Sequence, residues 1–171
     1  MAKKPAKKRV PAKKVAPKKK AAPKKTKAAP KKPARGKDGN PAGWPTLSPY
    51  MTVRNGQASV EFYAKAFGFK VLGQLMRGED GSVQHAGMGL GGAMIMFGPV
   101  EGSMGLQPPA QGASDSLSIY VYVPDVDALA VRARRSGATE VQAPTDQFWR
   151  DRTAVYKDID GYHWTFATHL G

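Results

Sequence analysis

Two stretches of the chain, 70 residues apart, show the same order of apolar and polar positions. Residues 48–55 open the first stretch and residues 118–125 the second. Each segment reads as a short strand that ends in Asn55 or Asp125, and both residue types favour helix N-caps. Apolar residues then recur at helical spacing, so a helix is expected after each strand. The apolar stripes are Ala58, Phe62, Tyr63, Ala66 and Phe67 in the first stretch, and Val126, Leu129, Ala130 and Ala133 in the second.

Each helix is expected to end at a glycine and to lead into three more strands. Gly68 and Gly137 stand where a residue in the left-handed conformation would end each helix. Short runs bounded by Gly and Asp turns follow, at 69–75, 82–89 and 92–98, and at roughly 139–143, 152–157 and 162–168. The pattern predicts an α+β fold in which a βαβββ module is used twice, at about 46–98 and 115–170.

Charge divides the chain near residue 40. Residues 1–40 hold 17 of the 27 Lys and Arg residues and one of the 13 acidic residues, so they carry +16, whereas the rest of the chain carries −2. The basic segment is mostly Lys, Ala and Pro and has no aromatic residue before Trp44. Such a segment has little to bury, so we expect it to be disordered. The domains are therefore a cationic tail at 1–43 and a folded domain at 44–171.

A polyanion is the expected partner of this tail. Clustered cations bind the phosphates of DNA or RNA without reading sequence, and the tail resembles the Lys/Ala/Pro-rich tails of linker histones and bacterial histone-like proteins. The candidate phosphate-binding residues are Lys3, Lys4, Lys7, Lys8, Arg9, Lys13, Lys14, Lys18, Lys19, Lys20, Lys24 and Lys25. A solvated, solubilising extension is the alternative interpretation.

The remaining composition argues for a cytoplasmic protein. The chain has no cysteine, which excludes disulfides and thiolate chemistry. No apolar run resembles a signal peptide or a membrane span. We expect a soluble protein without a membrane partner, associated with the nucleoid if the tail binds DNA.

Motifs across residues 46–170 resemble those of the vicinal oxygen chelate superfamily, which includes glyoxalase I, extradiol dioxygenases, fosfomycin-resistance enzymes and bleomycin-binding proteins. The motifs are Phe62-Tyr63, Phe67-Gly68-Phe69 and Asp158-Ile159-Asp160-Gly161-Tyr162. Three further segments are similar to the PhnB-like glyoxalase/bleomycin resistance branch: Leu47–Tyr50, Asp146–Arg152 and Trp164–His169. The resemblance implies two βαβββ modules forming a curved mixed sheet around a cup, with the helices outside. It leaves the activity open, since one fold hosts many chemistries.

Strand alternation divides the side chains between two faces. The apolar face, expected beneath the helices, holds Met51, Val53, Ile95, Phe97, Ile119, Val121, Val123, Trp164 and Phe166. The opposite face holds Ser48, Tyr50, Thr52, Met94, Met96, Ser118, Tyr120, Tyr122, His163, Thr165 and Ala167. This mixture of hydroxyl, aromatic and thioether groups suits a small organic ligand. A second core of a sandwich is the alternative.

Eight residues are therefore candidates for ligand binding. Six of them line the cup: Tyr50, Met96, Tyr120, Tyr122, His163 and Thr165. Trp149 and Arg152 come from the loop that the resemblance places near the mouth, where Trp149 would cover an apolar ring and Arg152 would pair with an anionic group. An ion-pair network of Arg152 with Asp146 and Asp151 is the alternative. Asp158 and Asp160 are explained by hydrogen bonding within their turn.

The superfamily's metal site is expected to be absent. The resemblance places the ligands at positions that are Ser48, Met96, Ser118 and Thr165 in this chain. Neutral hydroxyl and thioether groups offer a divalent cation no charge compensation. No metal, other cofactor or catalytic residue is therefore predicted, and glyoxalase I activity is not expected. A displaced divalent metal at His85 and His163 is the alternative.

Three functions are consistent with these features. The first is a metal-independent domain that binds a small organic molecule, with a tail for nucleic acid. The second is a lyase, isomerase or dioxygenase-type enzyme that uses the displaced metal. The third is an architectural, nucleoid-associated protein. We expect a homodimer, and both a cup within one chain and a cup shared between two chains occur in the superfamily.

Overall fold

In a computed structural model, which describes residues 34–102, 105–110 and 117–171, both predicted helix caps are formed. Asn55 and Asp125 have extended backbones, and their side chains accept hydrogen bonds from the backbone N–H groups of Ala58, at 3.0 Å, and Ala128, at 2.8 Å. The first helix continues into a π-helical turn that ends at Gly68, where φ is 83°. The side chain of Ala58 is exposed on the first turn, so the apolar stripe begins later than predicted.

Residues 34–171 form one compact unit that contains both modules. The first module consists of β1 (Tyr50–Val53), α1 (Gly56–Phe62), the π-helical turn (Tyr63–Phe67), β2 (Lys70–Val71), β3 (Met76–Arg77), β4 (Val83–Leu90) and β5 (Ala93–Pro99), followed by a 3-10 turn (Val100–Gly102). The second consists of β6 (Ser118–Tyr122), α2 (Val126–Arg135), β7 (Thr139–Asp146), β8 (Asp151–Lys157) and β9 (His163–His169). The single strand predicted at 69–75 is replaced by the short strands β2 and β3.

Each module forms its own mixed sheet. The strand orders are β1-β5-β4-β2, with β3 also paired to β4, and β6-β9-β8-β7. In each sheet the opening strand runs parallel to the last strand of its module, and the other pairs are antiparallel. The predicted α+β fold with two βαβββ modules is confirmed. In the described part of the chain, no strand pair joins the two sheets.

The predicted division of the strand faces is also observed. Among the residues placed beneath the helices, Met51, Val53, Ile95, Phe97, Trp164 and Phe166 are buried, and Ile119, Val121 and Val123 are partly buried. On the opposite face Tyr50, Tyr120 and Tyr122 are exposed, whereas Thr52, Met94 and Ala167 are buried. We call the face of the second sheet that carries Tyr120 and Tyr122 the concave face.

Aromatic residues of the first module pack against the second sheet. The ring of Phe67 lies 4.7 Å from Phe166 and 5.4 Å from Trp164, centroid to centroid. The hydroxyl of Tyr63 and the indole N–H of Trp164 both donate to the Asp158 carboxylate, at 2.7 and 2.9 Å. Asp158 is buried, and burial raises its pKa. The predicted hydrogen bonding within the turn is formed, because Oδ1 of Asp158 accepts from the backbone N–H groups of Asp160 and Tyr162, at 2.9 Å each. Its Oδ2 has a further role that the turn does not explain, since it links the two modules.

Asp160 and Tyr162 make a second link at β1. The buried Asp160 carboxylate accepts from the backbone N–H of Arg54, at 2.9 Å, and from the hydroxyl of Ser59, at 3.0 Å. The hydroxyl of Tyr162 accepts a hydrogen bond from the backbone N–H of Thr52, at 3.1 Å, and donates one to the backbone carbonyl oxygen of Thr52, at 2.9 Å. These long-range bonds hold the modules in one orientation.

The candidate phosphate-binding residues of the tail lie outside the described residues. Within the described ranges, no helix is long and apolar enough to cross a membrane.

Candidate ligand-binding face

A buried carboxylate is the centre of the concave face. The hydroxyls of Tyr120 and Tyr122 both donate to Oδ2 of Asp151, at 2.9 and 2.8 Å. The tyrosines lie on β6 and Asp151 on β8, so their side chains reach across the intervening strand β9. Ala167 lies between Tyr122 and Thr153 in the strand register and is fully buried. Its small side chain leaves the space through which the ring of Tyr122 reaches Asp151.

His169 completes the cluster. The pairing of β8 with β9 sets Asp151 opposite His169, and Nδ1 of His169 lies 2.8 Å from Oδ1 of Asp151. The hydrogen bond from His169, followed by those from Tyr122 and Tyr120, lowers the pKa of Asp151 against the effect of desolvation. The carboxylate is therefore ionised at neutral pH, although its side chain is only 2% exposed. It accepts hydrogen bonds from three side chains.

The same carboxylate keeps the two tyrosines protonated. The hydrogen bond to Asp151 is the main cause that raises the pKa of Tyr122 to about 12. Desolvation, followed by the hydrogen bond to Asp151, raises the pKa of Tyr120. Both phenol protons are directed at the carboxylate, so toward a ligand these tyrosines offer oxygen lone pairs and ring faces. Tyr120 and Tyr122 are 45% and 63% exposed, and their ring centroids are 5.4 Å apart.

Trp149 is folded back onto this cluster by the β7–β8 hairpin. Gln147 and Arg150 close the turn, and Arg150 has φ of 69°, a left-handed conformation that is uncommon for a residue with a side chain. The side chain of Trp149 lies close enough to the hydroxyl of Tyr120 to lower the pKa of that hydroxyl against the effect of desolvation. Trp149 is 47% exposed, and its ring contacts the exposed ring of Phe148 edge to face, at 4.8 Å. The structure thus brings together Tyr120, Tyr122 and Trp149 from the predicted set.

Arg152 is not part of this face. Its guanidinium pairs with both oxygens of Asp127, at 2.8 and 3.0 Å, and with Asp146, at 2.7 Å. Asp127 lies on α2, and Arg152 follows Asp151 directly, so strand alternation turns it to the helix side of the sheet. The predicted role of Arg152 at the cup mouth is corrected. The alternative ion-pair network forms with Asp146, and Asp127 takes the place of Asp151.

The other predicted residues are divided between the two sheets. Tyr50 and Met96 are neighbours in the register of the first sheet, and the ring of Tyr50 stacks on His85 at 5.9 Å. In the second sheet, Thr165 hydrogen-bonds through its hydroxyl to Ser118, at 2.9 Å. His163 lies beside Ser118 in the register, at the end of the sheet away from His169.

The residues at the superfamily's metal positions do not fit a divalent metal. The Ser118 and Thr165 hydroxyls satisfy each other, and Met96 offers a thioether. The alternative ligands His85 and His163 lie on different sheets. Within the described part of the chain, no three or more His, Asp or Glu side chains are grouped to hold a metal ion. We derive no chemical step through a metal, and a metal-free site stays a prediction.

An apolar groove borders the cluster. Its volume is about 350 Å³, and it runs along β6, where Tyr120 and Tyr122 meet Leu47, Pro49 and Phe69 of the first module. A larger cavity, of about 440 Å³, lies beside Trp44, and Lys70 is the one ionisable group among the described residues that line it. The groove at β6 is the better candidate because its lining includes Tyr120 and Tyr122, whose hydroxyls are oriented by Asp151.

Comparison with known proteins identifies the family of this fold. Residues 46–166 match the family model of the Glyoxalase/Bleomycin resistance protein/Dioxygenase superfamily. The chain belongs to this superfamily. A curated relative, the uncharacterized protein Rv0887c of Mycobacterium tuberculosis, is 36% identical over 127 residues, covering 72% of this chain and 74% of that protein.

Solved structures of the superfamily fold are similar as well. TioX from Micromonospora sp. ML1 is 26% identical with a TM-score of 0.56, covering 72% of this chain and 99% of TioX. TnmS3, an antibiotic binding protein from Streptomyces sp. CB03234, is 20% identical with a TM-score of 0.52, covering 73% of this chain and 97% of TnmS3. The likeness to TnmS3 concerns the fold alone.

Asp151 and His169 are the site residues that sequence reasoning missed. From the sequence, Asp151 is expected in an ion pair with Arg152, and His169 has no expected role. The alternation of β9 carries a signal for His169, because this residue shares the face of Thr165 and Ala167. The contact with Asp151 has no such signal, since it depends on the order of the strands.

Proposed function

We propose that this PhnB-like superfamily domain binds a small organic molecule on its concave face, without a metal. The observation that carries the proposal is the ionised Asp151, which orients Tyr120 and Tyr122 beside an apolar groove of about 350 Å³. Ligand sites combine an apolar lining with a few fixed polar groups, and this groove has both.

Preorganisation supports binding at this position. Each tyrosine is held at its hydroxyl by Asp151. Fixed rings lose little conformational freedom when a ligand covers them. TnmS3 is an antibiotic binding protein with this fold, so the scaffold accommodates organic ligands.

We infer that the concave face functions in a homodimer. Several large apolar side chains near it are exposed in the single chain, namely Leu47, Leu117, Tyr122 and Phe148. Apolar surface of this kind is stabilised by a second copy that covers it. Light scattering of the full chain tests this proposal, with a dimer expected and a monomer as the contradicting result.

We also infer that the basic segment associates with nucleic acid. The 17 cations within residues 1–40 support a phosphate-mediated interaction. Duplex DNA binding should weaken steeply as salt rises and should be similar for unrelated sequences. Binding that is indifferent to salt would contradict the proposal.

A binding screen tests the ligand proposal. The full chain, its Tyr122→Leu variant and a Trp44→Leu control would be titrated with a panel of aromatic, neutral and charged organic compounds, with NMR observation of the indole N–H signals. We expect compounds that shift the Trp149 signal and that lose affinity in Tyr122→Leu, about tenfold or more, because a contact ring is removed. The control should bind as the parent does. If no compound shifts the Trp149 signal, the proposal fails.

A further inference from the structure

The concave face offers a ligand electron-rich groups. The protons of both tyrosine hydroxyls point to Asp151. The Nδ1 of His169 lies 2.8 Å from the other oxygen of the same carboxylate. Toward a ligand, the two tyrosines therefore present ring faces and hydroxyl lone pairs, and their own donors are already engaged.

A negative charge lies beneath these rings. The two oxygens of Asp151 are occupied by the two tyrosines and by His169, and its side chain is almost completely buried. A cation on the face would feel this charge through the rings, without direct contact with the carboxylate. A bulky, weakly hydrated cation suits such a surface better than a small hydrated ion.

The side chains on the β7 side of the cluster and Arg152 do not cancel this charge. Gln142 and Gln147, on the side of β7, donate to the hydroxyl of Thr153, and all three groups are neutral. Arg152 lies on the opposite face, where Asp127 and Asp146 neutralise it.

We propose that Tyr120, Tyr122 and Trp149, above the Asp151 carboxylate, bind the alkylated ammonium group of an organic cation. The apolar remainder of the molecule would lie in the groove along β6. This inference rests on the proposed function and names the ligand class of the same face. Aromatic rings around a positive charge are an established means of binding quaternary ammonium groups.

Two compounds of nearly the same shape separate the effect of charge on binding from the effect of shape. They are choline and its neutral isostere dimethylbutanol, in which a tert-butyl group replaces the trimethylammonium group. The full chain would be titrated with each compound, and NMR would follow the indole N–H signals of the three tryptophans. We expect choline to shift the Trp149 signal and to bind on the order of tenfold more tightly than dimethylbutanol, because only choline carries a charge for the rings. Trp44, which does not line the groove, is the internal control.

Two variants test the origin of the preference. In both of them binding would be followed through the ring signals of Tyr120 and Tyr122, because Trp149→Leu lacks the indole signal. Asp151→Asn removes the charge with little change in shape, and Trp149→Leu removes one ring from an exposed hairpin tip, where folding depends little on it. Each should reduce the affinity for choline several-fold more than that for dimethylbutanol. A preference that persists in both variants would overturn the proposal.

The outcomes also separate this inference from the proposed function. If choline and dimethylbutanol bind equally, or if neutral compounds of the screen bind while choline does not, the cation inference is wrong and the ligand-binding proposal stands. If neither choline nor any screened compound shifts the Trp149 signal, both fail.

Discussion

Thr52 shows what a single buried hydroxyl does in this fold. Its side chain is buried on β1, and its Oγ1 has no hydrogen-bond partner among the described residues. A buried hydroxyl without a partner loses its hydration and gains nothing in return. Thr52→Val should therefore raise the free energy of unfolding by about 1 kcal/mol, measured by urea denaturation.

Thr153→Val is the matched control for that change. Thr153 is also buried, but its Oγ1 accepts a hydrogen bond from Gln147 at 2.9 Å. This substitution should lower the free energy of unfolding by about 1 kcal/mol. If Thr52→Val destabilises the protein as Thr153→Val does, the Thr52 hydroxyl has a partner after all.

The ionisation of Tyr122 reports on the charge of Asp151. The pKa of Tyr122 is raised to about 12, mainly through its hydrogen bond to Asp151. Because the folded pKa lies above the unfolded value, this bond stabilises the fold at pH values below the usual tyrosine range, and the contribution is lost as the pH rises toward 12. Asp151→Asn should return the pKa of Tyr122 toward 10, the ordinary value, as followed by NMR of labelled tyrosine rings.

Tyr162 serves as the control in that titration. Burial raises its pKa, and its hydroxyl bonds to Thr52 rather than to Asp151, so its pKa should be the same in the parent and in the Asp151→Asn variant. An unchanged Tyr122 pKa in the variant would show that Asp151 is not the cause of the shift.

At the level of elements, the caps determine where each helix begins. Asp125 accepts the N–H of Ala128 at the first turn of α2, where its side chain is the N-cap. Asp125→Ala should lower the free energy of unfolding by about 1 kcal/mol, whereas Asp125→Asn should keep most of the stability because the amide oxygen still accepts. Thermal and urea unfolding of the two variants compare them. Equal losses in both would contradict the capping role.

The alternation of side chains along a strand is also a property of elements, and it predicted the face of the sheet for some site residues only. It assigned Tyr120 and Tyr122 correctly to the concave face, because both lie on one regular strand. For Arg152 the prediction rests on the resemblance instead, which places this residue near the cup mouth, although it is also the first residue of the strand predicted at 152–157. In the structure Arg152 follows Asp151 on β8, so its side chain lies on the opposite face of the sheet, where it pairs with Asp127.

For the whole molecule, Asp158 is the residue whose loss should matter most. It accepts from Tyr63 of the first module and from Trp164 of the second, in a buried position. Asp158→Ala should lower the free energy of unfolding by about 3 kcal/mol or more, because two buried donors would lose their acceptor. Urea unfolding monitored by tryptophan fluorescence would measure the loss.

Asp158→Asn is the control for this prediction. The amide keeps one acceptor oxygen, so the loss should be smaller than in Asp158→Ala. If both variants unfold like the parent, the bond between the modules does not stabilise the fold.

Local patterns in the amino-acid sequence were enough to predict the modules, the helix caps and the faces of the regular strands. These features depend on the geometry of the chain over a few residues, which repeats at every helix and strand. The charge contrast between the basic segment and the domain is likewise a property of composition.

Only the tertiary structure decided which polar groups meet. Asp151 is 29 and 31 residues from its tyrosine partners, and Asp158 is 95 residues from Tyr63. The Asp151 contacts require β9 to lie between β6 and β8, with Ala167 leaving room for a ring to cross it. Such contacts arise from strand order and from the packing of one module on the other. The repeating pattern of apolar and polar residues within a helix or strand predicts neither of these.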